Sequence, residues 1–218
     1  DWWWTAIQEK RMHETKNIIV SASADKTVRI WDAIFGACLR VIRGHNRAVT
    51  SAAFSSDGLY VISASLDMSV RIWDVSSGVC LRVFDGNASH LSVATFSSDG
   101  LYVVSASLGN SVRIWNAATG ECLLVIKGHK SNVISAAFSI DGMYVVSASS
   151  DLTVRIWDAA SGACLRVLEG HNLAVMSAAF SIDGLYVVSA SSDMTVRIWN
   201  VATGSCLRVL TGHSLAVY

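Results

Sequence analysis

Charge is scarce in this chain. Asp, Glu, Lys and Arg make up 16% of it, against about 25% in an ordinary soluble domain. The 17 basic and 17 acidic residues cancel. This removes any bulk electrostatic pull toward nucleic acid or an anionic membrane, so no nucleic-acid partner is expected. Long hydrophobic runs are missing as well. Val, Ile and Leu are broken every few residues by Ser, Asp-Gly or Arg. Nothing nears the ~20 residues of a membrane span, and no membrane insertion is expected. The sequence has no signal-peptide pattern. It also has no Cys-x-x-Cys, no His-Glu-x-x-His and no Gly-rich phosphate loop, which leaves no expected metal or cofactor. Segments of useful helical length are absent too, because Val, Ile, Thr and aromatic residues dominate the periodic stretches.

What the chain has instead is repetition. Trp31, Trp73, Trp115, Trp157 and Trp199 stand 42 residues apart, each followed by Asp or Asn. Gly-His recurs at Gly44-His45, Gly128-His129, Gly170-His171 and Gly212-His213, with Gly86-Asn87 as a degenerate copy. One such unit cannot bury its apolar face alone and must stack on its neighbours. Cys38, Cys80, Cys122, Cys164 and Cys206 follow the same period. Equivalent positions on adjacent units lie beyond the ~7 Å that a disulfide bridges. Reduced structural thiols and an intracellular, cytoplasmic setting are therefore expected. The chain opens on Asp1 and reads as a piece of a longer one, beginning and ending within a repeat.

Residues 128–169 show the unit. Residues 131–139 (SNVISAAFS), 143–149 (MYVVSAS), 153–158 (TVRIWD) and 163–168 (ACLRVL) are strand-like runs. Turn signals separate them: Asp141-Gly142, Ser150-Asp151-Leu152 and a connection ending in Gly162. The expectation is a four-stranded antiparallel meander. Its first three runs are apolar or small on both faces, so the sheet must be covered on both sides. Face-on stacking of successive sheets achieves this. The fourth run carries Arg40, Arg82, Arg166 and Arg208 in its Leu-Arg-Val copies, as suits an outer, wetter strand.

With Gly-His, Trp-Asp and a 42-residue period in place, the chain resembles the WD40-repeat family from about residue 17 to 218. The resemblance implies an all-β fold, a β-propeller that usually has seven blades, acting as a protein-interaction scaffold. It also sets the offset between blade and repeat. Blades are expected at about 5–42, 47–84, 89–126, 131–168 and 173–210, with 213–218 starting a sixth. The first begins irregularly. Lys10 and Arg11 fall where Ala52 and Ala53 stand, and Trp2-Trp3-Trp4 replace Gly-His-Asn. A decayed terminal capping repeat is one reading of this; a partner surface is the other.

Each blade could gather a Ser/His/Asp set, which invites a hydrolase reading. Several copies at one period argue against it, because catalysis needs one exposed nucleophile and one oxyanion pocket. Similarity to WD40 proteins implies a structural relay instead, from Asp to His to Ser to Trp. The expected members are His45, Ser65, Asp67 and Trp73; His129, Ser149, Asp151 and Trp157; and His171, Ser191, Asp193 and Trp199. Ser63 shares a strand face with Ser65 and remains an alternative to it. The third blade breaks the pattern with Asn87 and Gly109, keeping Ser107 and Trp115, while His90 comes three positions late. The first blade keeps Ser23, Asp25 and Trp31 and has Trp3 at the His position.

Binding information is expected on the rim formed by residues after Gly-His and around the relay Asp. Many family members are polar there. This chain has Arg47, Leu66, Met68, Lys130, Leu152, Leu173, Met194 and Leu215. These residues form a semi-apolar docking face for a protein or peptide, or the leucines pack on one another between loops. Too few rim cations are present for a phosphopeptide ring. The expected function is a non-catalytic scaffold within a larger intracellular protein or assembly. The alternative is the sensor region of a multidomain signalling ATPase.

Overall fold

The computed structural model describes residues 17–87 and 89–217, and these build only β-structure. The first sheet holds β1 (Ile18–Ala22), β2 (Thr27–Asp32) and β3 (Cys38–Arg43). The second holds β4 (Val49–Phe54), β5 (Tyr60–Ser65), β6 (Val70–Asp74) and β7 (Cys80–Phe84). The third holds β8 (Leu91–Phe96), β9 (Tyr102–Ser107), β10 (Ser111–Asn116) and β11 (Cys122–Lys127). The fourth holds β12 (Val133–Phe138), β13 (Tyr144–Ser149), β14 (Val154–Asp158) and β15 (Cys164–Leu168). The fifth holds β16 (Val175–Phe180), β17 (Tyr186–Ser191), β18 (Val196–Asn200) and β19 (Cys206–Leu210). Each is an antiparallel meander of hairpin-linked neighbours. The inner strand expected for the first sheet, together with Trp2–Trp4, Lys10 and Arg11, lies outside the described residues.

From the second sheet on, successive sheets pack through their inner strands, β4 on β8, β8 on β12 and β12 on β16, while β1, second in the meander by its place in the repeat, packs on β4. The core lies between sheets rather than within any one of them. Trp73 of the second sheet packs on Val28, Ile30 and Ile42 of the first. Trp115 meets Ile62, Val70 and Phe84 of the second. Trp157 and Trp199 repeat the contact one and two sheets on. A glycine permits a close approach to Trp73 and to Trp157. At Gly128, φ is 157°, and a Cβ there would stand 2.9 Å from Cη2 of Trp157; Gly44 meets Trp73 in the same way. At Gly44 and Gly128 the Gly of Gly-His is therefore both a backbone and a packing requirement.

The stack is open at both ends of the described chain. Ile19 is 53% exposed, whereas its equivalents Val61, Val103, Val145 and Val187 are fully buried. At the other end Val188 is 42% and Leu210 47% exposed, whereas Val146 and Leu168 of the preceding sheet are buried. Residues 211–217 form no strand. The Val217 amide nevertheless donates to the Ser191 carbonyl at 3.0 Å, the same bond that Val49 makes to Ser23 at the first junction. The five cysteines are free thiols. No helix among the described residues is long and apolar enough to cross a membrane.

Candidate functional site

Three sheets carry the same buried chain of hydrogen bonds beneath the rim. In the second, the Trp73 indole N–H donates to Ser63 Oγ at 2.8 Å, Ser63 Oγ lies 2.7 Å from His45 Nε2, and His45 Nδ1 lies 2.9 Å from Asp67 Oδ2. Trp157, Ser147, His129 and Asp151 repeat it at 2.7, 2.7 and 2.8 Å. Trp199, Ser189, His171 and Asp193 do so at 2.8, 2.7 and 2.8 Å. With Nδ1 protonated, every proton in the chain has an acceptor. Each Asp also accepts the amide of the residue after His, from Asn46, Lys130 or Asn172. The loop between Gly-His and the next inner strand is thereby pinned.

The serines expected in this chain, Ser65, Ser149 and Ser191, are not its members. Trp73 pairs across the strands with Val61, so its indole leans one diagonal step to Ser63. Ser65 lies four residues from Val61, about 13 Å along the strand and beyond the ring's reach. Ser65, Ser149 and Ser191 instead tie the rim loop. They accept the amides of Asp67, Asp151 and Asp193 and donate to the carbonyls of Arg47, Asn132 and Ala174. The same correction holds in the first and third sheets, where Trp31 bonds Ser21 rather than Ser23, and Trp115 bonds Ser105 rather than Ser107.

Burial holds the three imidazoles neutral, lowering their pKa below 6.5 despite the adjacent carboxylates. For Asp67, Asp151 and Asp193 burial acts upward. The hydroxyls of Ser69, Thr153 and Thr195, the rim amides and the histidines outweigh it, and the carboxyls sit well below 3.8. Ser63 and Ser147 have no solvent exposure. A hydroxyl sealed under an indole has no approach for a substrate, so the arrangement satisfies buried polar groups rather than presenting a nucleophile.

The third sheet replaces the relay with packing. Asn87 turns its amide to the carbonyls of Met68 and Phe84. Phe84 then meets Trp115 edge-on at 5.6 Å, much as His45, His129 and His171 meet their tryptophans at 5.8–6.1 Å. Sequence reasoning missed Phe84. Its signal was an aromatic residue where the other copies have Ile42, Ile126, Leu168 and Leu210. At Gly109 a Cβ would stand 2.3 Å from Ser89 Oγ, so the missing Asp has been replaced by neighbouring side chain. In the first sheet Asp25 caps its own turn through Thr27, which lowers its carboxyl to about 2.

Above the relay lies the rim. Met68, Leu152 and Met194 occupy one equivalent position and have φ of 69°, 73° and 67°, in the left-handed region. Lys26 and Asn110 hold the same place in the other two sheets. Met68, Leu152, Met194, Leu173 and Leu215 are exposed, as are Arg47 and Lys130, while Leu66 is half-buried. Among the described residues no group of three His, Cys, Asp or Glu could hold a metal ion.

This repeated Gly-His, relay and Trp-Asp framework defines a WD-repeat protein. Residues 6–32, 36–74, 78–116, 120–158 and 162–200 each match the WD domain, G-beta repeat, and the chain belongs to that family. Among curated proteins it is similar to the nuclear distribution protein PAC1 of Mycosarcoma maydis, 48% identical over 40 residues, covering 18% of this chain and 9% of that protein. It is also similar to PAC1-2 of Uncinocarpus reesii, 44% identical over 45 residues (21% and 10% covered), and to lissencephaly-1 homolog 1 of Paramecium tetraurelia, 35% identical over 54 residues (25% and 13%). The matches thus span about a tenth of the length of these relatives.

Proposed function

We infer that this chain is a non-catalytic docking scaffold whose sheets are blades of a β-propeller, and that it presents its rim to a protein or peptide partner. The contact residues are Arg47, Leu66, Met68, Lys130, Leu152, Leu173, Met194 and Leu215. The observation that carries this reading is the backbone at Met68, Leu152 and Met194. A left-handed residue costs a bulky side chain about 1–2 kcal/mol, and Gly or Asn would relieve it. Asn110 takes that solution in the third sheet. In the second, fourth and fifth sheets the turn carries an apolar side chain about two-fifths exposed, unfavourable on both backbone and solvation grounds. A partner that covers these side chains supplies what solvent does not, and Met offers it adaptable contact. The setting that fits free, partly exposed thiols is intracellular and reducing.

The test is affinity capture from source-cell extract with three proteins: the wild type, a Met68→Ser/Leu173→Ser/Met194→Ser variant, and an Ile140→Ser/Ile182→Ser variant on the opposite rim. All three should give the same β-sheet circular dichroism. The reading expects specific partners to be lost with the first variant and kept with the second. Loss with the second variant alone, or with neither, overturns it.

A further inference from the structure

On the edge opposite the rim, clefts run between consecutive sheets, and an arginine closes three of the four. Arg40 spans from the first sheet to the carbonyls of Val75, Ser76 and Ser77 in the second. Arg82 reaches Ala118 O of the third at 2.8 Å. Arg166 reaches Ala202 O of the fifth at 2.7 and 3.2 Å. Between the third and fourth sheets the residue at this place is Leu124. It takes the same seat, with its Cδ1 3.9 Å from where a Cβ on Gly162 would stand, as Arg40 and Arg166 lie against Gly78 and Gly204. It cannot donate a hydrogen bond. The carbonyl of Ala160, equivalent to those of Ala118 and Ala202, therefore has no guanidinium.

The unstrapped cleft is the larger one, about 480 Å³ against 360 and 400 Å³ for those beneath Arg82 and Arg166. Its floor is apolar, from Ile114, Leu124 and Phe138, and exposed Tyr102, Leu123 and Met143 flank it. Asp99, Asp141 and Asp158 edge it. Asp158 stands where the third and fifth sheets have Asn116 and Asn200, and Asn200 lines the cleft beneath Arg166. At these two equivalent positions one cation is lost at Leu124 and one anion gained at Asp158, a difference of two negative charges from the junctions on either side. Among the described residues no Lys, Arg or His forms an ion pair with the three carboxylates. Ser98 Oγ bonds Ile140 O at 2.5 Å and fixes the lower wall across the two sheets.

We propose that this cleft is a second docking site, distinct from the rim, for a peptide segment carrying an arginine beside an aliphatic residue. The partner's guanidinium takes the place that Arg40, Arg82 and Arg166 occupy elsewhere, bonding the Ala160 carbonyl and facing Asp158 and Asp141. Its aliphatic neighbour lies against Leu123 and Met143. Guanidinium suits the site because a planar donor fork can serve a carbonyl and a carboxylate together.

The probe is the tripeptide acetyl-photoleucine-Arg-Val-amide, which copies the chain's own Leu-Arg-Val straps, with citrulline in place of arginine as the uncharged isostere. Cross-links are located by peptide mapping. The expected labels fall on the segments around Tyr102, Leu123 and Met143. Labelling should drop about tenfold with citrulline, the loss of one charge-assisted contact. It should drop similarly in Leu124→Arg, which supplies the guanidinium from within, and in Asp158→Asn, which copies the neighbouring clefts. If Leu124→Arg does not fold, Asp158→Asn decides. Equal labelling by the citrulline peptide, unchanged labelling in Asp158→Asn, equal labelling at the strapped clefts, or no labelling at millimolar peptide each overturns the proposal.

Discussion

The third sheet implies that a relay histidine and an aromatic residue one sheet back are interchangeable covers for the same tryptophan. The fourth sheet allows a direct test, because Ile126 stands where Phe84 stands and His129 where Asn87 stands. His129→Asn removes two buried hydrogen bonds, to Ser147 and Asp151 at 2.7 and 2.8 Å. Each is worth about 0.5–1.5 kcal/mol net, and more where the partner is left unsatisfied. A loss of about 2–3 kcal/mol is expected. Ile126→Phe alone overpacks a filled site at about 1–3 kcal/mol. If the two acted independently, their costs would add to about 3–6 kcal/mol. If Phe can seat against Trp157 as Phe84 seats against Trp115, the double variant loses at least ~1 kcal/mol less than that sum. At this chain length each kcal/mol moves the melting temperature by about 2–4 °C. The cycle is read from tryptophan-fluorescence and circular-dichroism melts of the four proteins. Additivity within about 0.5 kcal/mol would refute the interchange, and with it the account of why the third sheet tolerates Asn87.

Ser147→Ala should cost more than Ser105→Ala, since Ser147 serves both His129 and Trp157 whereas Ser105 serves Trp115 without a relay histidine; equal melting shifts would contradict this. Acidification should destabilise in two stages. The folded histidines resist protonation while the unfolded chain takes protons from about pH 6.5 downward, so stability falls below that pH. The relay aspartates add a further loss below 3.8, because their folded pKa is also depressed. A melting temperature that rises between pH 7 and 5 would reverse the sign. Gly128→Ala should destabilise more than Gly142→Ala. Both glycines hold positive φ, but only at Gly128 would the new methyl strike Trp157, while Gly142 faces open space; comparison of their urea midpoints decides. The 218-residue chain is expected to self-associate through the uncovered face of the fifth sheet, and Val188→Asp with Leu210→Lys should reduce this in sedimentation by charging that face; a wild type that stays monomeric, or a distribution unchanged by the substitutions, would contradict this.

Much of the strand plan was legible because its information is local. Alternating Val-x-Ile-Trp runs, Asp-Gly turns and a constant period name strands and connections without reference to distant contacts. Five tryptophans at one spacing determine that sheets must stack, since no single unit can bury them. Which serine completes the relay was not legible. Ser63 and Ser65 share a strand face, and only the cross-strand pairing of Trp73 with Val61 sets where the indole N–H arrives. The compensation by Phe84 was hidden for a related reason, because it acts across a sheet boundary on a tryptophan 31 residues later. Leu124 shows the limit most plainly. In the sequence it is one apolar residue among many in an outer strand. It becomes a missing strap only once Arg40, Arg82 and Arg166 are seen to bridge adjacent sheets, because hydrogen-bond partners 35 to 37 residues apart are chosen by stacking and not by the chain around them.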